Sequence, residues 1–174
     1  QYGVYEMVNY LENTGDKNSK IISELFDINV ELPLENSVRD AEWGETGVTP
    51  YTRIFAPKGS MRAADDFTCD VETPSDPTRP MYIFDGDMRE FAPEGGRGSS
   101  GALPFFDVNR ADSGVLYAVG WTGQWHARIS RRKDSVCFSS GVETTHFCLY
   151  PGEKIRTTSA MVRRLARAIP ATRR

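Results

Sequence analysis

Gly114-Val115-Leu116-Tyr117-Ala118-Val119-Gly120-Trp121-Thr122-Gly123-Gln124-Trp125 runs an apolar strand into a glycine-bracketed turn that carries two tryptophans four residues apart. Further strands follow it closely, over residues 125–131 and 136–140, with Arg132-Lys133-Asp134-Ser135 turning the chain between them into a hairpin. Residues 145–150 read as one more strand before the Pro151-Gly152 turn. Upstream, residues 4–11 and 21–32 alternate with period two, as strands with one face on a core do. In the second of these, Ile22, Phe26, Ile28, Val30 and Leu32 fall on one face and Ser23, Asp27, Asn29 and Glu31 on the other, with Glu24 the one break. Asn13-Thr14-Gly15-Asp16-Lys17-Asn18-Ser19 is turn chemistry, and the simple expectation is a hairpin joining the two segments. An antiparallel all-β sandwich fits this pattern best.

Between residues 33 and 110 the texture changes, with Pro50, Pro57, Pro74, Pro77, Pro80, Pro93 and Pro104 punctuating short apolar runs. Proline removes ladder donors and glycine permits turns, which predicts short edge strands and long loops. Loops of that length inside one domain are usually functional or interfacial.

A chain of 174 residues suffices for one domain with a core. Its apolar content of 39% and charged content of 26% are ordinary for a folded protein. The net charge of −3 conceals an asymmetry, because residues 1–162 carry 16 basic and 24 acidic groups while residues 163–174 hold five arginines and no acid. An acidic body disfavours nucleic acid, which requires cations against phosphate. No run of apolar residues is long enough to span a membrane as a helix. The chain opens on Gln1 with strand pattern from Val4, so any targeting segment would precede it. Location is therefore open, with a soluble intracellular protein as the working expectation.

Cys69, Cys137 and Cys148 are odd in number and widely spaced, which suggests neither a disulfide framework nor a zinc pair. Small, partly buried thiols are expected, and Cys137 with Cys148 is the one pair that neighbouring strands could bridge. His126 and His146 are too few for a histidine-rich metal site, and His126 is expected to face solvent. Gly95-Gly96-Arg97-Gly98-Ser99-Ser100-Gly101 lacks the following helix and lysine of a phosphate loop. Asp65-Asp66 and Asp85-Gly86-Asp87 are expected to be turn residues. No nucleotide, flavin, metal or other cofactor is implied.

Taken in order, Gly98-Ser99-Ser100-Gly101-Ala102-Leu103-Pro104-Phe105-Phe106, the Gly-Trp-Thr-Gly-Gln-Trp strand, Gly141-Val142-Glu143-Thr144-Thr145 and Leu149-Tyr150-Pro151-Gly152-Glu153-Lys154-Ile155-Arg156-Thr157 resemble the amino-terminal β-sandwich of the family 36 glycoside hydrolases, the α-galactosidase (melibiase) group. The resemblance spans roughly residues 95–160. It implies a partial supersandwich-like domain over residues 1–162, followed by a basic, helix-compatible tail over 163–174 that breaks with the family pattern like a truncation or frameshift scar. It also implies that catalysis resides in a (β/α)₈ barrel outside this chain, where an aspartate nucleophile and an aspartate acid/base hydrolyse terminal α-galactosides with retention. Neither acidic cluster here resembles those motifs. The parent enzyme would bind its α-galactoside through that barrel, act on N-acetylated galactosides or transfer galactosyl groups in some members, and assemble as a homo-oligomer.

Three tryptophans are candidates for sugar contact, because indole offers flat apolar area and one N–H donor. Trp121 and Trp125 would form part of a sugar-facing wall or else pack into the core. Trp43, in the polar loop Glu42-Trp43-Gly44-Glu45-Thr46-Gly47, would lend an aromatic ring to an active site formed by the barrel. The alternatives are a free-standing carbohydrate-binding module and a purely structural or interaction domain.

Overall fold

The structure, a computed structural model, describes residues 3–33, 52–64, 66–68, 81–110 and 113–166. All twelve elements among these residues are β-strands: β1 Val4–Glu12, β2 Ile22–Ser23, β3 Ile28–Pro33, β4 Thr52–Phe55, β5 Met81–Ile83, β6 Met88–Phe91, β7 Phe105–Arg110, β8 Ser113–Gly120, β9 Trp125–Arg132, β10 Ser135–Val142, β11 His146–Phe147 and β12 Lys154–Ala166. A six-stranded sheet of order β1-β12-β8-β7-β4-β5 faces a four-stranded sheet of order β3-β10-β9-β6, and β11 pairs with β2 to one side. Among the described residues every strand pairing is antiparallel.

Alternation decides which side chains meet between the layers. β9 places Trp125, Ala127 and Ile129 inward and β10 places Val136 and Phe138, each fully buried. Opposite them, Phe106 and Val108 of β7, Val115, Tyr117 and Val119 of β8, and Ala160 of β12 fill the large sheet's inner face. The layers lock through aromatic rings. Tyr117 stacks on Phe138 with centroids 4.1 Å apart, and Phe106 meets Phe138 at 5.9 Å, Trp125 edge-on at 6.0 Å and Phe91 at 4.9 Å. Each such ring contributes about 1.5–3 kcal/mol by burial alone, and favourable ring geometry adds to it.

The hairpin over Arg132–Ser135 forms as read, with Lys133 in the left-handed region at φ 44°. Other expectations are corrected. β1 and β3 do not form a hairpin: β1 pairs with β12, Val4 opposite Arg163, while β3 pairs with β10 in the other sheet, so the turn at residues 13–19 crosses between layers. Residues 21–32 are not one strand, because Glu24 takes φ 53° and splits β2 from β3. Beyond that break Asp27 is buried at 4% exposure rather than solvent-facing. Its N–H donates to Ser140 O at 2.8 Å, and its carboxylate accepts from the Thr158 hydroxyl of the opposite sheet. Residues 145–150 keep only the two-residue β11.

At the basic terminus, β12 runs through residue 162 to Ala166, with Arg163 opposite Leu116 and Arg164 opposite Val115. Residues 163–166 are thus strand, not helix, and belong to the sheet. Compositional contrast misled here because arginine near a strand end keeps its stem on the sheet and its charge in water. Cys137 and Cys148 are both free thiols, so the pair that neighbouring strands could bridge is not bridged.

The Tyr117 hydroxyl is buried with no hydrogen-bond partner among the described residues. Burial first, and the Cys137 thiol second, push its phenol well above the ordinary value of 10.0. An acid that stays protonated when folded and ionises when unfolded gives stability that is complete below the ordinary value and lost as pH rises past it. Tyr117→Phe keeps the stacked ring and removes the orphaned hydroxyl, so it is expected to raise unfolding free energy by about 1 kcal/mol at neutral pH. It should also flatten the decline in stability above pH 10. Urea titrations at neutral and alkaline pH measure both, and a destabilised variant would show that the hydroxyl has a partner.

Candidate functional site

The turn that follows β8 organises one end of the sandwich. Trp125, first residue of β9, has no exposed surface. Its indole N–H donates to Gly98 O at 2.8 Å, so the ring both fills the core and holds down the glycine-rich loop. Of the two placements open to Trp125, sugar-facing wall or core, the structure shows the core one: the ring is fully buried. Four residues earlier, Trp121 lies 41% exposed. A Cβ on Gly123 would stand 2.9 Å from the Trp121 indole nitrogen, so the ring lies over the glycine. Trp43 lies outside the described residues.

The loop over residues 94–101 docks on this turn. Gly98 N–H donates to Thr122 O at 2.9 Å, and a Cβ on Gly98 would meet Trp121 O at 2.7 Å. Gln124 reaches across with both ends of its amide, accepting from Gly96 N–H at 2.9 Å and donating to Pro93 O. Within the loop, Glu94 N–H donates to Ser100 O at 2.8 Å. Gly95, Gly96 and Gly101 have φ between 64° and 75°, which an L side chain resists.

A second loop lies against the first through Ser60 N–H, which donates to Ser99 O at 2.9 Å. Asp66 closes it, its carboxylate accepting from Met61 N–H at 2.8 Å, Arg62 N–H at 3.0 Å and the Ser60 hydroxyl at 3.0 Å. Those bonds, the Met61 one foremost, hold the Asp66 carboxyl below its ordinary value. Arg62 and Phe67 both take left-handed backbone, at φ 64° and 67°. Between the two loops opens a cleft of about 400 Å³ lined by Ser60, Met61, Arg62, Glu94, Arg97 and Ser100. Sequence reading missed it, because its walls are thirty-two to forty residues apart in a region without periodicity. The only signal was the density of glycine and serine around Arg97.

The other acids behave as turn chemistry: Asp85 accepts from Lys133 N–H at 2.6 Å and Asp87 from Phe84 N–H at 2.9 Å. His126 is half-buried on the small sheet's outer face, 3.8 Å from Glu90, which pairs with Arg128 at 2.8 Å. His146 is exposed on β11.

Superposition on solved structures gives the comparison that matters. The chain shares its fold with part of the family 36 α-galactosidases. Against the α-galactosidase of Lactobacillus brevis the TM-score is 0.62 at 12% identity, over 90% of this chain and 19% of that one. Against the galactosidase domain of the α-galactosidase-sucrose kinase AgaSK it is 0.67 at 12% identity, over 95% and 20%. An AgaA α-galactosidase variant of Geobacillus stearothermophilus in complex with raffinose gives 0.66 at 14% identity, over 96% and 21%. The chain thus spans about one fifth of the chains it matches. No family model matches the sequence, and no curated protein matches it in sequence.

Proposed function

We propose that this chain is a non-catalytic accessory lobe of an α-galactosidase-like glycoside hydrolase, whose chemistry resides in a barrel elsewhere in a longer polypeptide. The observation that carries this reading is the alignment of at least nine-tenths of the chain onto one fifth of such enzymes. A retaining glycosidase needs two carboxyl groups about 5–5.5 Å apart across the scissile bond. Here Asp66 and Asp87 are committed to backbone amides of their own turns, and Asp85 to the Lys133 amide of the β9–β10 turn.

The small sheet presents His126, Arg128, Ser130 and Glu90 outward, a solvated surface. The large sheet presents Phe105 at 54%, Val4 at 42% and Tyr82 at 41% exposure, flanking half-buried Leu116 and Met161. Charged residues interleave with them, since Asp107 and Arg163 flank Leu116 and Arg53 lies opposite Tyr82. The parent enzyme would take terminal α-galactosides and hydrolyse them with retention.

The purified 174-residue chain is expected to release no chromophore from a chromogenic α-galactoside above the buffer rate. Metal-independent turnover by the chain alone would overturn the reading.

A further inference from the structure

We propose that the interior of the sandwich is a binding site for one water molecule, held between Asp27 and Ser140, and that this water completes a polar tie between the two sheets. The site is made where two β-bulges face each other across the layers. It stands apart from the accessory-lobe reading.

The first bulge lies at the start of β3. Asp27 N–H donates to Ser140 O at 2.8 Å while Ile28 is the register partner of Ser140, so two residues oppose one. A bulge interrupts strict alternation and re-aims side chains. Asp27 and Ile28 are accordingly both buried, at 4% and 1% exposure. The second bulge lies in the large sheet, where the register shifts between Val8, opposite Ser159, and Tyr10, opposite Arg156. Thr157 and Thr158 therefore stand together opposite Asn9, and both are buried. The bulges touch through Asp27: its Oδ2 accepts from the Thr158 hydroxyl, and its backbone carbonyl accepts from Asn9 Nδ2 at 2.6 Å. One residue of the small sheet's edge is thus held by both strands of the large sheet's edge.

Two polar atoms at this junction are left over. Asp27 Oδ1 and Ser140 Oγ are buried with no hydrogen-bond partner among the described residues. Ser140 follows Val136 and Phe138 at period two on β10, and all three are fully buried, so its hydroxyl turns to the core. The 2.8 Å backbone bond joins Asp27 to Ser140, and both side chains are interior, which brings the two orphaned atoms to one place. The side chains here are also small. Two residues before Ser140 the Phe138 ring stacks on Tyr117, whereas Ser140 itself is met across the layers by Thr158 and Ala160 positions that carry no ring.

A buried acceptor and a buried hydroxyl without partners are costly, and internal water is the common remedy, one molecule making about three hydrogen bonds to such groups. Here water donates to Asp27 Oδ1 and accepts from the Ser140 hydroxyl. The chemistry selects water over a metal ion. Calcium takes about six to eight oxygen ligands, whereas the junction offers one carboxylate and a few hydroxyls, and no group of three metal-ligating side chains occurs among the described residues.

A high-resolution crystal structure of the 174-residue chain tests the assignment. One ordered water is expected within about 2.5–3.0 Å of both Asp27 Oδ1 and Ser140 Oγ. Ser140→Ala removes one of its two anchors, so the water should be lost from the variant crystal and the unfolding midpoint should fall by roughly 2–4 °C. A direct hydrogen bond between Ser140 and Asp27, a junction closed without water, or a peak ringed by ligands at the about 2.3–2.6 Å of a bound cation would each overturn the proposal. So would a Ser140→Ala variant that keeps both the water and the midpoint. None of these outcomes touches the accessory-lobe reading, which the hydrolysis assay addresses.

Discussion

Trp125→Ala is expected to lower the unfolding free energy by about 3–5 kcal/mol, which for a domain with roughly 5–15 kcal/mol in hand removes a large share of its stability. Three losses coincide in that one side chain. The indole is fully buried, so its removal leaves a cavity beneath Phe106 that the rigid sheets close only in part. The edge-to-face contact with Phe106 disappears. Gly98 O also loses its 2.8 Å donor, and the loop over residues 94–101 loses an anchor. Urea unfolding followed by far-ultraviolet circular dichroism measures the effect. Trp121→Ala is the matched control: its partly exposed ring should cost well under half as much. Equal costs would show that Trp125 has no special place in the core.

Gly59→Ala is the second large effect, and it acts through sterics alone. A Cβ at residue 59 would collide with the Ser99 carbonyl oxygen and stand 2.7 Å from its carbon and 2.9 Å from Ala102 N. These are backbone atoms, which cannot swing aside as a flexible side chain does. The same strip carries Ser60 N–H to Ser99 O at 2.9 Å and Leu103 N–H to Pro57 O at 3.0 Å, so relief requires the two loops to part. A cost of about 1–3 kcal/mol is expected, together with amide shifts concentrated in residues 94–103 and a changed environment for Trp121. Thermal unfolding and an amide spectrum check both. A variant with native stability and an unmoved loop would mean that the loops are not in contact at this point.

Strands with strict alternation were legible residue by residue. β9 and β10 came out of the sequence nearly to their ends because Trp125, Ala127, Ile129, Val136 and Phe138 repeat with period two and a polar turn divides them. Pairing was not legible at the amino terminus, where a good turn at residues 13–19 made a local hairpin plausible and the actual partner of β1 lies at the far end of the chain. Local pattern reports which face a residue takes. It is silent on which strand comes alongside.

The site divided in the same way. Trp121 and Trp125 look alike in sequence, four residues apart on either side of one turn. Their opposite fates depend on Gly98, which accepts the Trp125 N–H from a loop twenty-seven residues upstream. Asp66 and Asp87 were readable as turn residues, because carboxylates that cap amides of their own loop need only nearby chain. The cleft depends on two loops meeting through Gly59, and no periodicity announces that.

The place of β12 in the large sheet carries a consequence for how the molecule is made. Because β12 lies between β1 and β8, and Val4 pairs with Arg163, β1 leaves the ribosome long before its neighbour in the sheet. Throughout synthesis Val4, Tyr5, Met7 and Tyr10 wait on an unpaired edge, open to chaperones or to the same segment of another nascent chain. Loop closure over the stretch from Val4 to Arg163 makes that pairing slow, so yield in the cell is governed by how well β1 is shielded until β12 arrives.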